Sequence, residues 1–181
     1  MIFKEKSKQS YVLSQGAIAF SVIDFEIIGN LHQDGRNIVH DFINLPEDFE
    51  FARKYVGGYV CDHTNEFGER KVTKVYDFGP YPIELLESED YKKILLEEFE
   101  NQTVEMLSSY NINKEIEFIE FINNVKSAFK EVKINSHDFY QLLPDDWKYD
   151  DLSSFQLSSY LCGFSINRID KVFTVFQIDD D

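Results

Sequence analysis

The chain has 181 residues, 43% of them hydrophobic and 15% aromatic, which is enough material for a packed core and excludes global disorder. Its 33 acidic residues against 18 lysines and arginines give a formal net charge of −15. Nonspecific nucleic-acid binding and attachment to anionic membranes both need a basic surface, so a positively charged protein partner is the better expectation.

No apolar run approaches the ~20 residues of a membrane span. The opening MIFKEKSKQSYVLSQG has lysines with neither an apolar stretch nor a small-residue cleavage site behind them, so no signal peptide is expected. Cys61 and Cys162 are too few for a disulfide framework. One bridge between them stays open beside two buried free thiols, the commoner case in a reducing compartment. A cytoplasmic protein is expected. Residues 1–80 hold 12 acids and 9 bases and residues 81–181 hold 21 and 9, yet no Gly/Ser/Pro-rich linker divides them. A single domain over 1–181 follows.

In chain order, Gly16–Ile28 reads as a strand, with Ala19, Ser21, Ile23, Phe25 and Ile27 on one face. Pro46–Tyr55 suits a short helix with Asn44 as N-cap and Gly57-Gly58 ending it. Gly58–His63 and Arg70–Phe78 flank a turn-like Thr64–Gly68 and predict a hairpin; Gly79-Pro80-Tyr81-Pro82 then breaks the chain. Residues 89–110 predict a helix capped by Ser88, with Tyr91, Leu95, Leu96, Phe99, Met106, Leu107 and Tyr110 on its apolar arc and Asp90, Glu97, Glu98 and Glu105 opposite. Residues 114–132 predict a second helix, burying Phe118, Phe121, Ile122, Val125 and Phe129 and exposing Glu117, Glu120 and Glu131. The linker Asn111-Ile112-Asn113 is short enough for an antiparallel pair.

Ser136–Leu143 reads as a short helix ending before Pro144, and Asp145-Asp146-Trp147 as loop. Tyr160–Ile166 and Val172–Ile178 predict a second hairpin around Asn167–Asp170, and Asp179-Asp180-Asp181 is expected to fray. The fold class is α+β: a mostly antiparallel sheet with a helical pair and short helices packed on one side of it.

Catalytic motifs are missing. There is no phosphate-binding G-x-x-x-x-G-K-[ST] or G-x-G-x-x-G, no His-Glu-x-x-His, and no histidine three residues after a glutamate. Gly163-Phe164-Ser165-Ile166-Asn167 lacks the closing glycine of a nucleophile elbow, so Ser165 reads as structural. Cys61 and His63 share a strand face about 7 Å apart, but zinc needs two more ligands and no neighbouring Cys or His supplies them. His32, His40 and His137 are scattered singly. No metal, no cofactor and no enzymatic activity are expected.

The collective acidity goes beyond solubility, for which a net charge on the order of 2 to 8 suffices in a small domain. Tyr59, Phe67, Tyr76, Trp147 and Tyr149 lie beside acids in predicted hairpins or loops, and aromatics framed by carboxylates suit a protein interface. The acidic segment Glu84–Glu120, the strand-rich ends Gly16–Ile28 and Tyr160–Ile178, and the hairpin Gly58–Phe78 together resemble the immunity proteins of bacterial toxin–immunity pairs, including those of contact-dependent growth inhibition. The resemblance is one of general character over the whole chain and carries no residue assignments. It implies stoichiometric inhibition: binding a cognate toxin domain, often a basic nuclease, and occluding its active site.

Carboxylates facing the toxin's Lys and Arg would mimic phosphates and speed association, and an exposed strand edge could add backbone hydrogen bonds. Asp62, Glu66 and Glu69, with Tyr59 and Tyr76, are the first candidate interface, and Glu97 and Glu98 the second. The competing classes are an acidic inhibitor with another target, such as a DNA mimic, an enzyme with a carboxylate-based active site, and an acidic adaptor or structural subunit.

Overall fold

Ile18–Ile28 and Val172–Asp180 pair antiparallel, and their alternation organises the molecule. Phe20, Val22, Phe176 and Ile178 point to one face, while Ile23, Phe25, Phe173 and Val175 point to the other, all buried. Strands that are apolar on both faces belong in the middle of a sheet covered on both sides.

The computed structural model describes residues 1–13, 18–45, 58–64, 70–78, 81–83, 86–109, 116–133, 138–143 and 159–180, with backbone alone at 58–64, 70–77, 82, 133, 159, 179 and 180. Its main sheet contains β1 (Ile2–Val12), β2 (Ile18–Ile28), β6 (Tyr91–Lys93), β7 (Asp138–Leu142), β8 (Ser159–Asn167) and β9 (Val172–Asp180). They run in the order β1-β2-β9-β8-β7-β6, every neighbouring pair antiparallel. A second sheet joins β3 (Gly58–Thr64), β4 (Arg70–Phe78) and β5 (Tyr81–Pro82). The helices are α1 (Gly35–Ile43), α2 (Leu96–Ser109) and α3 (Ile116–Lys133). The fold is α+β.

Helices cover both faces of the six-stranded sheet, where the sequence predicted one side only. Ile38, Val39, Phe42 and Ile43 of α1 pack with Ile23, Phe25 and Phe173 on the first face. Phe99 and Leu107 of α2 and Phe121, Val125 and Phe129 of α3 pack with Phe20 and Phe176 on the second. The two-faced apolar pattern of β2 and β9 carried this information. Burying each such Phe or Ile contributes about 1.5–3 kcal/mol before ordering costs are subtracted.

Gly163, in the interior of β8, sits where the second layer presses closest. A Cβ built there would lie 2.5 Å from the Phe139 ring and 2.9 Å from the Phe99 ring. Neither ring has room to retreat, because both are buried among other aromatics. Gly163→Ala is expected to destabilise the protein by about 1–3 kcal/mol, read from the shift of a urea denaturation midpoint at constant slope.

Several expected elements differ. β1 was not foreseen, because its exposed edge position leaves KEKSKQS polar. α1 was also missed, and Asn44 is its C-cap: its backbone N–H donates to the His40 and Phe42 carbonyls. The N-cap of α1 is Asp34, whose carboxylate accepts from Arg36 N at 2.8 Å. The predicted helix at Pro46–Tyr55 lies outside the described residues, as do the Asn111-Ile112-Asn113 linker and Asp145-Asp146-Trp147.

The predicted helix over 89–110 begins only at Leu96. Ser88–Asp90 form one 3₁₀ turn, closed by Asp90 Oδ2 accepting from Glu87 N at 2.9 Å, so Ser88 is not the cap and Asp90 is buried, not on an acidic face. Tyr91 then enters the sheet as β6, opposite Leu142. Ser136–Leu143 is not a helix but contains strand β7, since Phe139, Tyr140, Gln141 and Leu142 are all buried between two strands. Asp179 and Asp180 do not fray: their backbones pair with Ala19 and Ile18 on one side and with Tyr160 and Ser159 on the other. The hairpins at 58–78 and 159–180 form as predicted, and α3 buries Phe121, Val125 and Phe129 as its spacing requires.

Candidate functional site: a polar cleft on the second sheet face

Of the sequence-predicted interface residues, Tyr59, Asp62 and Tyr76 are described by their backbone and Glu97 and Glu98 in full. In the β3–β4 ribbon, Tyr59 stands opposite Val75, Asp62 opposite Val72, and Tyr76 opposite Gly58. Alternation along the ribbon therefore assigns the positions of Asp62 and Tyr76 to one face and that of Tyr59 to the other. Glu66 and Glu69 lie outside the described residues. Glu97 and Glu98 are exposed at the start of α2. Glu98 has a local task there, accepting from Leu95 N at 2.9 Å and so satisfying a donor at the helix start. Helix α2 contains Glu97, Glu98, Glu100 and Glu105 and no Lys, Arg or His.

A second feature was not foreseen. The face of the sheet that carries Phe20, Phe176 and Ile178 beneath α2 and α3 turns polar one row further on. Ser7, Asp24, Thr174 and Ser165 stand in successive register across β1, β2, β9 and β8. The Asp24 carboxylate ties this row together: Oδ2 accepts from Ser7 Oγ at 2.8 Å and Oδ1 from Thr174 Oγ1 at 2.7 Å.

Above this row lies an open cleft of about 210 Å³, bounded by the last turns of α3 and the β8–β9 turn. Ser165, Thr174 and Asn167 form a floor that is only 1%, 4% and 7% exposed. Val22, Ala128 and Val132 supply an apolar wall. Asp24, Glu131 and Asp170 bring carboxylates, and among the described residues no lysine, arginine or histidine lines the cleft. Asp170 is positioned by the turn: Asn167 Nδ2 donates to it at 2.7 Å, while Asn167 Oδ1 accepts from the Ile169 and Asp170 backbones. Ser165, read from sequence as structural, lies in the floor of the cleft.

A third cluster fastens the opposite face. Asp138, at the start of β7, accepts from Lys93 Nζ at 2.6 Å and from Arg168 Nε at 2.9 Å. Arg168 also donates to the carbonyls of Leu31 and Gln33, so one guanidinium ties the β8–β9 turn to β7 and to the loop before α1. Burial pushes the Asp138 carboxyl up, but the hydrogen bonds from Lys93 and Arg168 prevail and hold it below the usual carboxylate range. Burial, followed by the Asp138 charge, raises the Tyr140 phenol. Lys93 Nζ, Arg168 Nε and Arg168 Nη1 all donate to protein acceptors, which marks the cluster as a structural clasp.

Cys162 is a buried free thiol whose ionisation is pushed far upward by burial, which makes it inert as a nucleophile. His40 packs beside Tyr91, with ring centroids 6.2 Å apart, and His32 is exposed. Among the described residues, no three His, Cys, Asp or Glu side chains converge on a common metal position. None of the described helices is long and apolar enough to cross a membrane.

The signal for the cleft was present in the sequence as one polar residue set into each of several apolar strands: Asp24 in SVIDFEII, Thr174 in VFTVF and Ser165 in GFSIN. It went unread because only strand register aligns the three. Compared with protein-family models and with curated proteins, the chain matches none.

Proposed function

We propose that this protein is a stoichiometric inhibitor of a basic protein partner, of the kind represented by immunity proteins that neutralise a toxin nuclease domain. The observation that carries the reading is the base-free acidic helix α2, which exposes Glu97, Glu98 and Glu105 on one outer layer of the molecule. A surface of one sign steers a partner of the other sign and raises its association rate. The acid-lined cleft is a second concentration of the same sign.

Strand addition at the main sheet is not supported as the binding mode. The outer strand β1 carries Lys4, Lys6 and Lys8 and a bulge between Glu5 and Ser7, devices that keep an edge from pairing. The opposite edge, β6, is three residues long. Side-chain complementarity is the mode that remains on this sheet.

The test is capture of partners from the native host on the immobilised protein, with washes at low and high salt. Retention of a basic, nuclease-like protein near one-to-one at low salt, weakened at high salt, is expected. Two charge-reversed variants then locate the interface. Glu97→Lys with Glu105→Lys tests α2 without touching the Glu98 hydrogen bond, and Glu66→Lys with Glu69→Lys tests the hairpin. The variant at the interface should associate more slowly and with weaker salt dependence. If the unmodified protein retains nothing specific at low salt, the inhibitor reading fails.

A further inference from the structure

We infer that the C-terminal half of α2, from Thr103 to Ser109, is a flap that lifts from the sheet while the rest of the molecule stays folded. The device belongs to the chain alone and needs no partner.

Helix α2 rests on three buried residues spaced four apart, Phe99, Thr103 and Leu107. The first is a firm anchor. Its ring lies 2.9 Å from the position a Cβ on Gly163 would take, and it meets the Phe139 ring at 5.1 Å and the Phe129 ring at 5.9 Å. Just before it, Glu98 accepts from Leu95 N, and Ile94 N donates to the Phe139 carbonyl at 3.2 Å. The N-terminal half of the helix is thereby fixed to β7 and β8.

One turn further on, the seat becomes polar. Thr103 is fully buried, and among the described residues its hydroxyl has no hydrogen-bond partner. Gln141, 1% exposed, shares a sheet face with Phe139 two residues before it on β7. Its Nε2 donates to Gln102 Oε1 at 2.8 Å, but its Oε1 has no partner among the described residues. Unpaired polar groups are costly in an interior, and water satisfies them as soon as the layer above lifts. The cost therefore falls on the closed state. Helix α3 has no such break, since Phe121, Val125, Ala128 and Phe129 are all apolar.

Little else holds this half down. Beyond Phe99, only Thr103 and Leu107 of α2 are buried. The last turn has no base, and Glu105 stands toward the negative end of the helix dipole. A base brought against Glu105 offsets that repulsion and favours closure, so the flap responds to charge.

The test is native-state hydrogen exchange of the full chain, followed by NMR in water and in urea below the unfolding transition. Amides of Val104–Ser109 are expected to exchange at least ~100-fold faster than those of Phe173–Ile178, with rates nearly independent of urea, the mark of a small local opening. Thr103→Val and Gln141→Met each remove one unpaired group at nearly constant shape, and each should slow the flap amides roughly tenfold. Glu105→Lys should slow them about threefold. Flap amides that share the rate and urea dependence of Phe173–Ile178 overturn the inference, as does faster exchange in both Thr103→Val and Gln141→Met. No partner is present in this experiment, so its outcome and that of the capture experiment are independent.

Discussion

Phe176→Ala should lower the free energy of unfolding by about 3–5 kcal/mol, the largest effect expected of any single truncation in the second layer. Phe176 is fully buried on β9, and its ring stacks on Phe129 with centroids 5.0 Å apart and planes 10° from parallel. It also meets Phe139 at 5.9 Å, Phe99 at 6.3 Å and Phe20 at 6.5 Å. One side chain thus joins β2, β7, α2 and α3, and removing it opens a cavity whose walls are rings held by other rings. Urea denaturation of the variant should show a lower midpoint with an unchanged slope. A loss under about 1 kcal/mol would mean that the layer closes over the gap, and the packing described for this face would be wrong.

The second large effect is expected at the clasp. Asp138→Asn should cost about 2 kcal/mol near neutral pH. Removing the charge leaves Arg168, 29% exposed, without its anionic partner, while Lys93 at 57% exposed returns to water at little cost. The folded state holds the Asp138 carboxyl below its ordinary range, so its contribution is complete above the unfolded value of ~3.9 and is lost as pH falls through the lower folded value. The difference between the wild type and Asp138→Asn should therefore shrink as pH is lowered below ~4. Lys93, raised chiefly by its hydrogen bond to Asp138, has the opposite sign: its contribution is lost as pH rises past the usual lysine range. Its exposure makes that alkaline arm shallow. A stability difference that stays constant through the acid range would show that Asp138 is not paired as described.

The acidic side chains differ sharply in how much of their role is visible in the sequence. Glu97, Glu117, Glu120 and Glu131 are exposed as helical periodicity predicts, because a surface helix states its buried stripe every three or four residues. Asp24 and Asp90 are different. Each reads as one more acid, yet one ties three strands through hydroxyls and the other closes a 3₁₀ turn in a buried position. Their partners are far away in sequence or depend on a turn that helical periodicity masks.

By itself the sequence determined the α+β class, the two hairpins at 58–78 and 159–180, the apolar stripe of α3 and the concentration of acid in α2. All of these rest on local signals: turn residues, alternation and the helical repeat. Tertiary structure decided the rest. It drew Tyr91 and Phe139–Leu142 out of helical patterns and into strands, because a short apolar run satisfies either period and the growing sheet supplied hydrogen-bonding partners. It placed α1 on the face opposite α2 and α3, because β2 and β9 present apolar rows on both sides and each row needs a cover. The cleft exists only through register: Ser7, Asp24, Thr174 and Ser165 come from four separate strands and meet because antiparallel pairing sets them in one row.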